Sequence, residues 1–231
     1  MSSVAEGLAR VRERIVRAAT AVGRDPASVR LVAVSKTKPS SAIREAYAEG
    51  QRDFGENYAQ ELTQKAEELA DLSELRWHFI GHLQSNKARF VAREAHMVHT
   101  IDGPSLAREL GKRFAAVSAT RGDAGARLPV LVEVNVGGEA QKHGASPADL
   151  GDVLAAVDRE PALVLRGLMT MPPNDLEAAR RAFEALSSLR NAHGGAARLP
   201  ELSMGMSEDL EIAIACGATL VRVGSAIFGS R

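Results

Sequence analysis

Residues 130–136 read VLVEVNV, a nearly continuous apolar run that suits a strand buried on both faces, as strands of a parallel sheet are. Other short apolar runs share its character: Leu31–Ser35, Asp53–Glu56, Trp77–Ile80, Met97–Ile101, Val164–Met169, Glu201–Met204 and Leu220–Val223. Helix-like stretches separate them, near 40–49, 58–71, 84–94, 104–118, 147–157, 175–192 and 207–216. Ser146-Pro147 and Asn174-Asp175 read as helix starts, while Gly50, Gly111 and Gly217 lie near helix ends. Strands alternating with helices predict a parallel sheet, and eight such strands close a β/α barrel. Upstream, Val4, Leu8, Val11, Ile15, Ala18 and Val22 recur at helical spacing with Arg and Glu between them, and Gly23 and Pro26 stop the pattern. The predicted fold is therefore α/β, a single (β/α)8 TIM-like barrel domain over residues 1–231 with an extra N-terminal helix. An open doubly wound sheet is the runner-up. It normally carries a Gly-rich phosphate turn after an early strand, and neither GxGxxG nor GxxxxGK[ST] occurs here. Residues 119–127 (ATRGDAGAR) predict an exposed, mobile loop.

The chain of 231 residues is 45% hydrophobic and has 29 basic and 29 acidic residues. Such a balanced chain with no long basic run is not expected to bind nucleic acid. Neither a signal peptide nor a membrane span of about 18 apolar residues can be read from it, so the expected compartment is the cytoplasm. Its one cysteine, Cys216, excludes an intramolecular disulfide and suits a reducing compartment. The residue reads as buried near a helix end rather than as a reactive thiol. No large apolar surface stripe is evident, and a monomer is expected.

Reactive residues of a β/α barrel sit where strands end, and phosphate is held by loops after the seventh and eighth strands. Lys36 follows the run Leu31–Ser35, which puts its amine at the barrel mouth, where desolvation and a nearby cation favour Schiff-base chemistry. The bland reading is a solvated loop lysine, which Lys38 is expected to be; Lys65 and Lys112 read as surface lysines. Ser207 reads as the N-cap of the helix after the seventh strand, a position that attracts anions but is also ordinary capping. Gly224 permits close backbone approach, with the Ser225 hydroxyl beside it. Arg222, flanked by Val221 and Val223, needs a buried partner, whether a ligand or a structural salt bridge.

A strand-end lysine, a late phosphate cradle and an inward arginine together describe a pyridoxal 5′-phosphate (PLP) site. The stretches VAVSKTKP (33–39 with its preceding Val), DFGENYAQE (53–61), WHFIGHLQSNK (77–87), EVNVGGEAQKHG (133–144), GLMTMPP (167–173), LSMGMSEDLE (202–211) and VRVGSAIFG (221–229) resemble the pyridoxal phosphate homeostasis protein family. That family is related to the barrel domain of bacterial alanine racemase. The resemblance implies that Lys36 holds PLP as a Schiff base, that Ser207, Gly224 and Ser225 hold its phosphate, that Arg222 meets the pyridine nitrogen and that Asn57 lies beside it. His78 and His82 read as structural or near-cofactor residues, and Met204 and Met206 as packing; no metal ligand is assigned.

A PLP site does not by itself imply catalysis. Arg222 stays protonated and is a poor proton source for the pyridine nitrogen. Two-base racemisation needs an acid/base group on each face of the substrate carbanion. The racemase tyrosine comes from a further domain, and the sequence given stops at Arg231. Of Tyr47 and Tyr58, only Tyr58 is a stand-in. Met171 occupies the place where the racemase pattern GxxTH puts histidine, and Thr-Lys-Pro follows Lys36 instead of an aromatic loop. The expected function is PLP storage or delivery, with apo PLP-dependent enzymes as recipients and no catalytic residue assigned. Lys38 or Lys142 would attack the imine in release. A weak PLP-dependent racemase and a cofactor-free Schiff-base lyase or aldolase are the alternatives.

Overall fold

A computed structural model describes residues 3–123, 125–139 and 142–229. In chain order the elements are α1 (Val4–Ala21), β1 (Arg30–Val34), α2 (Ser40–Ala48), β2 (Asp53–Glu56), α3 (Ala59–Glu68), β3 (Arg76–Phe79), α4 (Ala88–Glu94), β4 (Met97–Ile101) and α5 (Pro104–Arg121). They continue with β5 (Leu128–Glu133), α6 (Leu150–Asp158), β6 (Leu163–Met169), α7 (Leu176–Ala192), α8 (Gly195–Arg198), β7 (Glu201–Ser203), α9 (Leu210–Ala215), β8 (Leu220–Val223) and α10 (Ser225–Phe228). The strands pair in parallel from β1 round to β8, and β8 returns to β1, so the barrel is closed. The expected barrel and extra first helix are both present, and closure rules out the open sheet.

Alternation divides the strands between two cores. Outward-facing Ala33, Phe54, Trp77, Val98, Val130, Val132 and Val221 pack with the helices in one large cluster, while Val32, Met97, Leu131, Met169 and Leu220 form a separate small one. His99 lies two residues beyond Met97, Glu133 two beyond Leu131, and Arg222 two beyond Leu220. They share the faces of the small cluster, so polar side chains fill part of the barrel's centre. Asp53, His78, His99, Ser203 and Arg222 are all buried.

α1 is started by a reciprocal cap, Ser3 accepting from the Glu6 amide and Glu6 from that of Ser3. Leu8, Val11, Ile15, Ala18 and Ala19 form its buried stripe; Val22, expected to extend it, is 44% exposed at the helix end. Arg24 then ties this end to the carbonyls of Ile214 and Ala218. At the other end Gly7 admits the main chain of α10: a Cβ there would lie 2.5 Å from the Ile227 carbonyl oxygen.

Several boundaries differ from the sequence reading. β5 starts at Leu128, before Pro129, and ends at Glu133. Beyond it Val134 makes an isolated bridge to Ala145, and the Asn135 amide donates to the carbonyls of Glu139 and Lys142, turning the chain away from the barrel. α6 starts at Leu150 because Ser146 and Asp149 first close a turn. α5 extends to Arg121 and ends on left-handed Gly122, which shortens the predicted 119–127 loop. Ala124 of that loop, and Arg231, lie outside the described residues. No described helix is long and apolar enough to cross a membrane.

Candidate functional site

The ends of β1, β2, β6, β7 and β8 open onto one cavity of about 530 Å³. Its walls include Lys36, Asn57, Ser207, Arg222, Gly224 and Ser225, so the structure brings all six expected site residues together. Met171, Pro173, Asn174, Leu176, Met206 and Glu208 complete much of the remainder. Met171, Met206 and Asn174 read from the sequence in other roles, and Pro173 and Leu176 have no site role there; their signal is only that they follow β6.

Lys36 sits where β1 ends, and the main chain on both sides is clamped. The Lys65 ammonium donates to the Ser35 carbonyl, to Glu56 and to Glu61, each at 2.7 Å. The Thr37 amide donates to the same Glu61 at 2.5 Å, and Thr37 takes a left-handed φ of 62°. Lys65 is therefore a buried residue, not the surface lysine its sequence context suggests. Three acceptors compensate its desolvation. Burial pushes the Glu56 carboxyl up, opposed chiefly by Lys65. Lys112 is exposed as expected.

On the phosphate-cradle side, the Ser225 hydroxyl donates to that of Ser207 over 3.0 Å. Ser207 does not cap α9: residues 207–209 form a turn, Asp209 is the cap residue, and its carboxylate accepts from the Met206 amide. The serine is released to the cavity instead. Gly224 packs against β1, where a Cβ would come 3.1 Å from the Val34 carbonyl oxygen, so this glycine also draws the cradle close to Lys36.

Arg222 is fully held. Its Nη1 donates to Ser203 Oγ at 2.7 Å, and its Nη2 to the Thr170 carbonyl at 2.9 Å and towards the Met171 sulfur at 3.1 Å. Burial lowers its pKa to about 10, opposed by Glu133 and Asp209, so it stays a cation at neutral pH. Burial likewise raises the Glu133 carboxyl to about 7, with Arg222 opposing and Asp102 reinforcing. The Asn57 carbonyl oxygen Oδ1 is buried with no partner among the described residues, a cost a ligand donor would relieve.

Other candidates lie elsewhere. His78 belongs to the barrel interior, bonded to Asp53 and His99. His82 stacks on His143 with ring centroids 3.6 Å apart and an interplanar angle of 9°, and lies 3.5 Å from Asp102. These three side chains offer ligand-type atoms within 4.8 Å of one another, but nitrogen lone pairs in parallel, stacked rings do not converge on one point. Met204 is buried packing, whereas Met206 lines the cavity. Tyr58 is 52% exposed, and Tyr47 lies under the Arg52 guanidinium, 4.0 Å from the ring centroid. Lys142 reaches the Met171 carbonyl at 3.5 Å; Lys38 lines a different groove with Glu61 and Lys65. Cys216 is half-buried at the end of α9, and burial pushes its thiol pKa up.

Residues 7–231 match the family described as alanine racemase, N-terminal domain. The pyridoxal phosphate homeostasis protein of Pseudomonas aeruginosa is 50% identical over 234 residues, covering 100% of this chain and 97% of that one. PipY of Synechococcus elongatus, solved with PLP bound, is 38% identical and superposes with a TM-score of 0.79, over 98% of this chain and 100% of its own. Alanine racemase from Corynebacterium glutamicum shares the fold at 19% identity and a TM-score of 0.65, with 96% of this chain covering 61% of the racemase.

Proposed function

The chain belongs to the family of the alanine racemase N-terminal domain and, within it, to the pyridoxal phosphate homeostasis proteins, and on that premise we propose that it binds PLP and stores or delivers it. The observation that carries this reading is the convergence of Lys36, Asn57, Ser207, Arg222, Gly224 and Ser225 on one cavity. The site fits the group on its own chemistry. An amine can take an aldehyde, paired hydroxyls can hold a phosphate and a guanidinium can donate to a ring nitrogen, and the Asn57 oxygen lacks a donor among the described residues.

When bound, PLP supplies an aldehyde carbon that takes an amine as a Schiff base. The Lys36 amine would hold PLP at that carbon, in a condensation that releases water. Ser207 and Ser225 would hold the phosphate, the Ser207 hydroxyl keeping its own proton to donate while it accepts from Ser225. Arg222, a permanent donor, offers its guanidinium to the ring nitrogen and gives up no proton at neutral pH. Neither Tyr47 nor Tyr58 lines the cavity, and Met171 stands where a racemase-like histidine would, which supports storage over turnover. Lys142, beside Met171, is the better placed amine to displace Lys36 during release to apo enzymes in the cytoplasm.

The test is a visible spectrum of protein with PLP before and after borohydride, followed by mass mapping. An imine band reduced to a stable adduct on Lys36 is expected. No band, or adducts scattered over exposed lysines such as Lys112, overturns the reading. Steady amino-acid racemisation by the loaded protein would move it to the enzyme class.

A further inference from the structure

Five polar side chains form an unbroken line through the barrel. Asp53 Oδ1 lies 2.8 Å from His78 Nε2, His78 Nδ1 2.9 Å from His99 Nε2, and His99 Nδ1 2.8 Å from Ser203 Oγ, which accepts from Arg222 Nη1 at 2.7 Å. The line runs along adjacent β2, β3 and β4, then crosses to β7 and β8. At its outer end Asp53 is also held by the Arg76 guanidinium, at 2.9 and 2.6 Å.

With both imidazoles neutral, the ends fix the direction of every bond between them. Arginine can only donate and an ionised carboxylate can only accept. Neutral His78 gives its one proton, on Nε2, to Asp53 and so accepts at Nδ1 from His99 Nε2. That leaves neutral His99 to accept the Ser203 proton at Nδ1, while the Ser203 oxygen accepts from Arg222. One assignment alone, with both imidazoles neutral and protonated at Nε2, satisfies each contact with one proton. An extra proton on either ring would put two donors face to face or strand the serine hydroxyl.

The ionisation preferences agree. Burial drives the His78 and His99 rings towards neutrality, His99 well below its usual value. Burial raises the Asp53 carboxyl, but the bonds from Arg76 and His78 outweigh it and hold the group well below the usual carboxylate range.

We propose that Ser203, His99, His78 and Asp53 are positioning residues for Arg222, a one-way hydrogen-bond relay that holds its guanidinium in a single orientation at the ring-nitrogen end of the cavity. The proposal rests on the PLP reading for what Arg222 meets, but the relay itself is a property of the ligand-free protein. Its effect is to keep Arg222 a donor aimed into the site, so that a bound pyridine ring is met by an acceptor-seeking N–H and remains unprotonated at nitrogen. Ser203 is the junction: its Oγ is the sole side-chain link between the guanidinium on β8 and the histidines on β3 and β4 among the described residues.

Two measurements test it. In ligand-free protein, ¹⁵N NMR of the imidazoles should report His78 and His99 as neutral Nε2–H tautomers that do not titrate between about pH 5.5 and 8, most of the window where an unperturbed histidine changes charge. The charged and titratable groups facing these rings are Asp53, Arg76, Arg30, His96 and Arg222. Titration of either ring in that range, or an Nδ1–H tautomer, overturns the relay. With PLP, Ser203→Ala should weaken binding about tenfold and shift the imine band and its pH profile, and Ser203→Thr should restore both. A purely structural serine would lower stability without moving the band. A wild-type band reproduced unchanged by Ser203→Ala overturns the positioning role and leaves the PLP reading standing; a wild type with no band overturns the PLP reading, and the tautomer measurement still decides the relay.

Discussion

The ammonium of Lys65 donates to the main-chain carbonyl of Ser35 at 2.7 Å, so one lysine holds the backbone immediately before another. Lys65 also neutralises Glu56, which is fully buried. Replacing Lys65 by Met should leave that carboxylate without its cation and destabilise the fold by about 3–5 kcal/mol at neutral pH. Urea unfolding of Lys65→Met, Glu56→Gln and the double variant checks this. The double variant should be more stable than Lys65→Met alone, and an additive cycle would show that the pair is not coupled.

Glu133 gives the protein a pH-dependent stability. Its carboxyl is raised from 4.5 to about 7 by burial. Below pH 4.5 both folded and unfolded chains hold the proton. Between 4.5 and 7 the unfolded chain releases it first, so stability falls as pH rises, and above 7 the full cost is present. Glu133→Gln should remove this slope, gaining on the order of 3 kcal/mol over wild type at pH 8 and nothing at pH 4.5. Parallel unfolding curves at the two pH values would sink the assignment if the gain were the same at both.

Ser207 and Ser225 are expected to act on the phosphate and not on the aldehyde. Ser207→Ala or Ser225→Ala should weaken PLP binding about tenfold while leaving the weaker binding of unphosphorylated pyridoxal unchanged. Titrations followed at the imine band separate the two; equal losses with both ligands would remove the serines from the cradle.

The barrel was legible because its strands are periodic and apolar, and the boundaries of β2, β4 and β8 were read to the residue. β5 was misplaced for a local reason: Pro129 lacks a ladder donor and reads as a break, yet it pairs with Val164 in the register. The cavity residues were legible because each ends a strand or follows one. The supports behind them were not. Asp53, His99 and Ser203 are far apart in sequence and show only as polar residues at or within short strand runs, and His78, read as structural or near-cofactor, gave no sign of its partners. Lys65 stands four residues from Glu61, which reads as an ordinary exposed helix pair; its burial depends on Glu56 and Ser35, contributed by other elements.

The N-terminal helix has a further consequence through Gly7. Its missing side chain lets the last short helix lie flush against the first, and that last helix begins with Ser225. The proposed phosphate cradle is thus backed by a stretch of chain more than two hundred residues upstream of it. A methyl group at position 7 would push on that backing from outside the cavity. Its phenotype would be a weakened anion grip from a residue that never touches the anion.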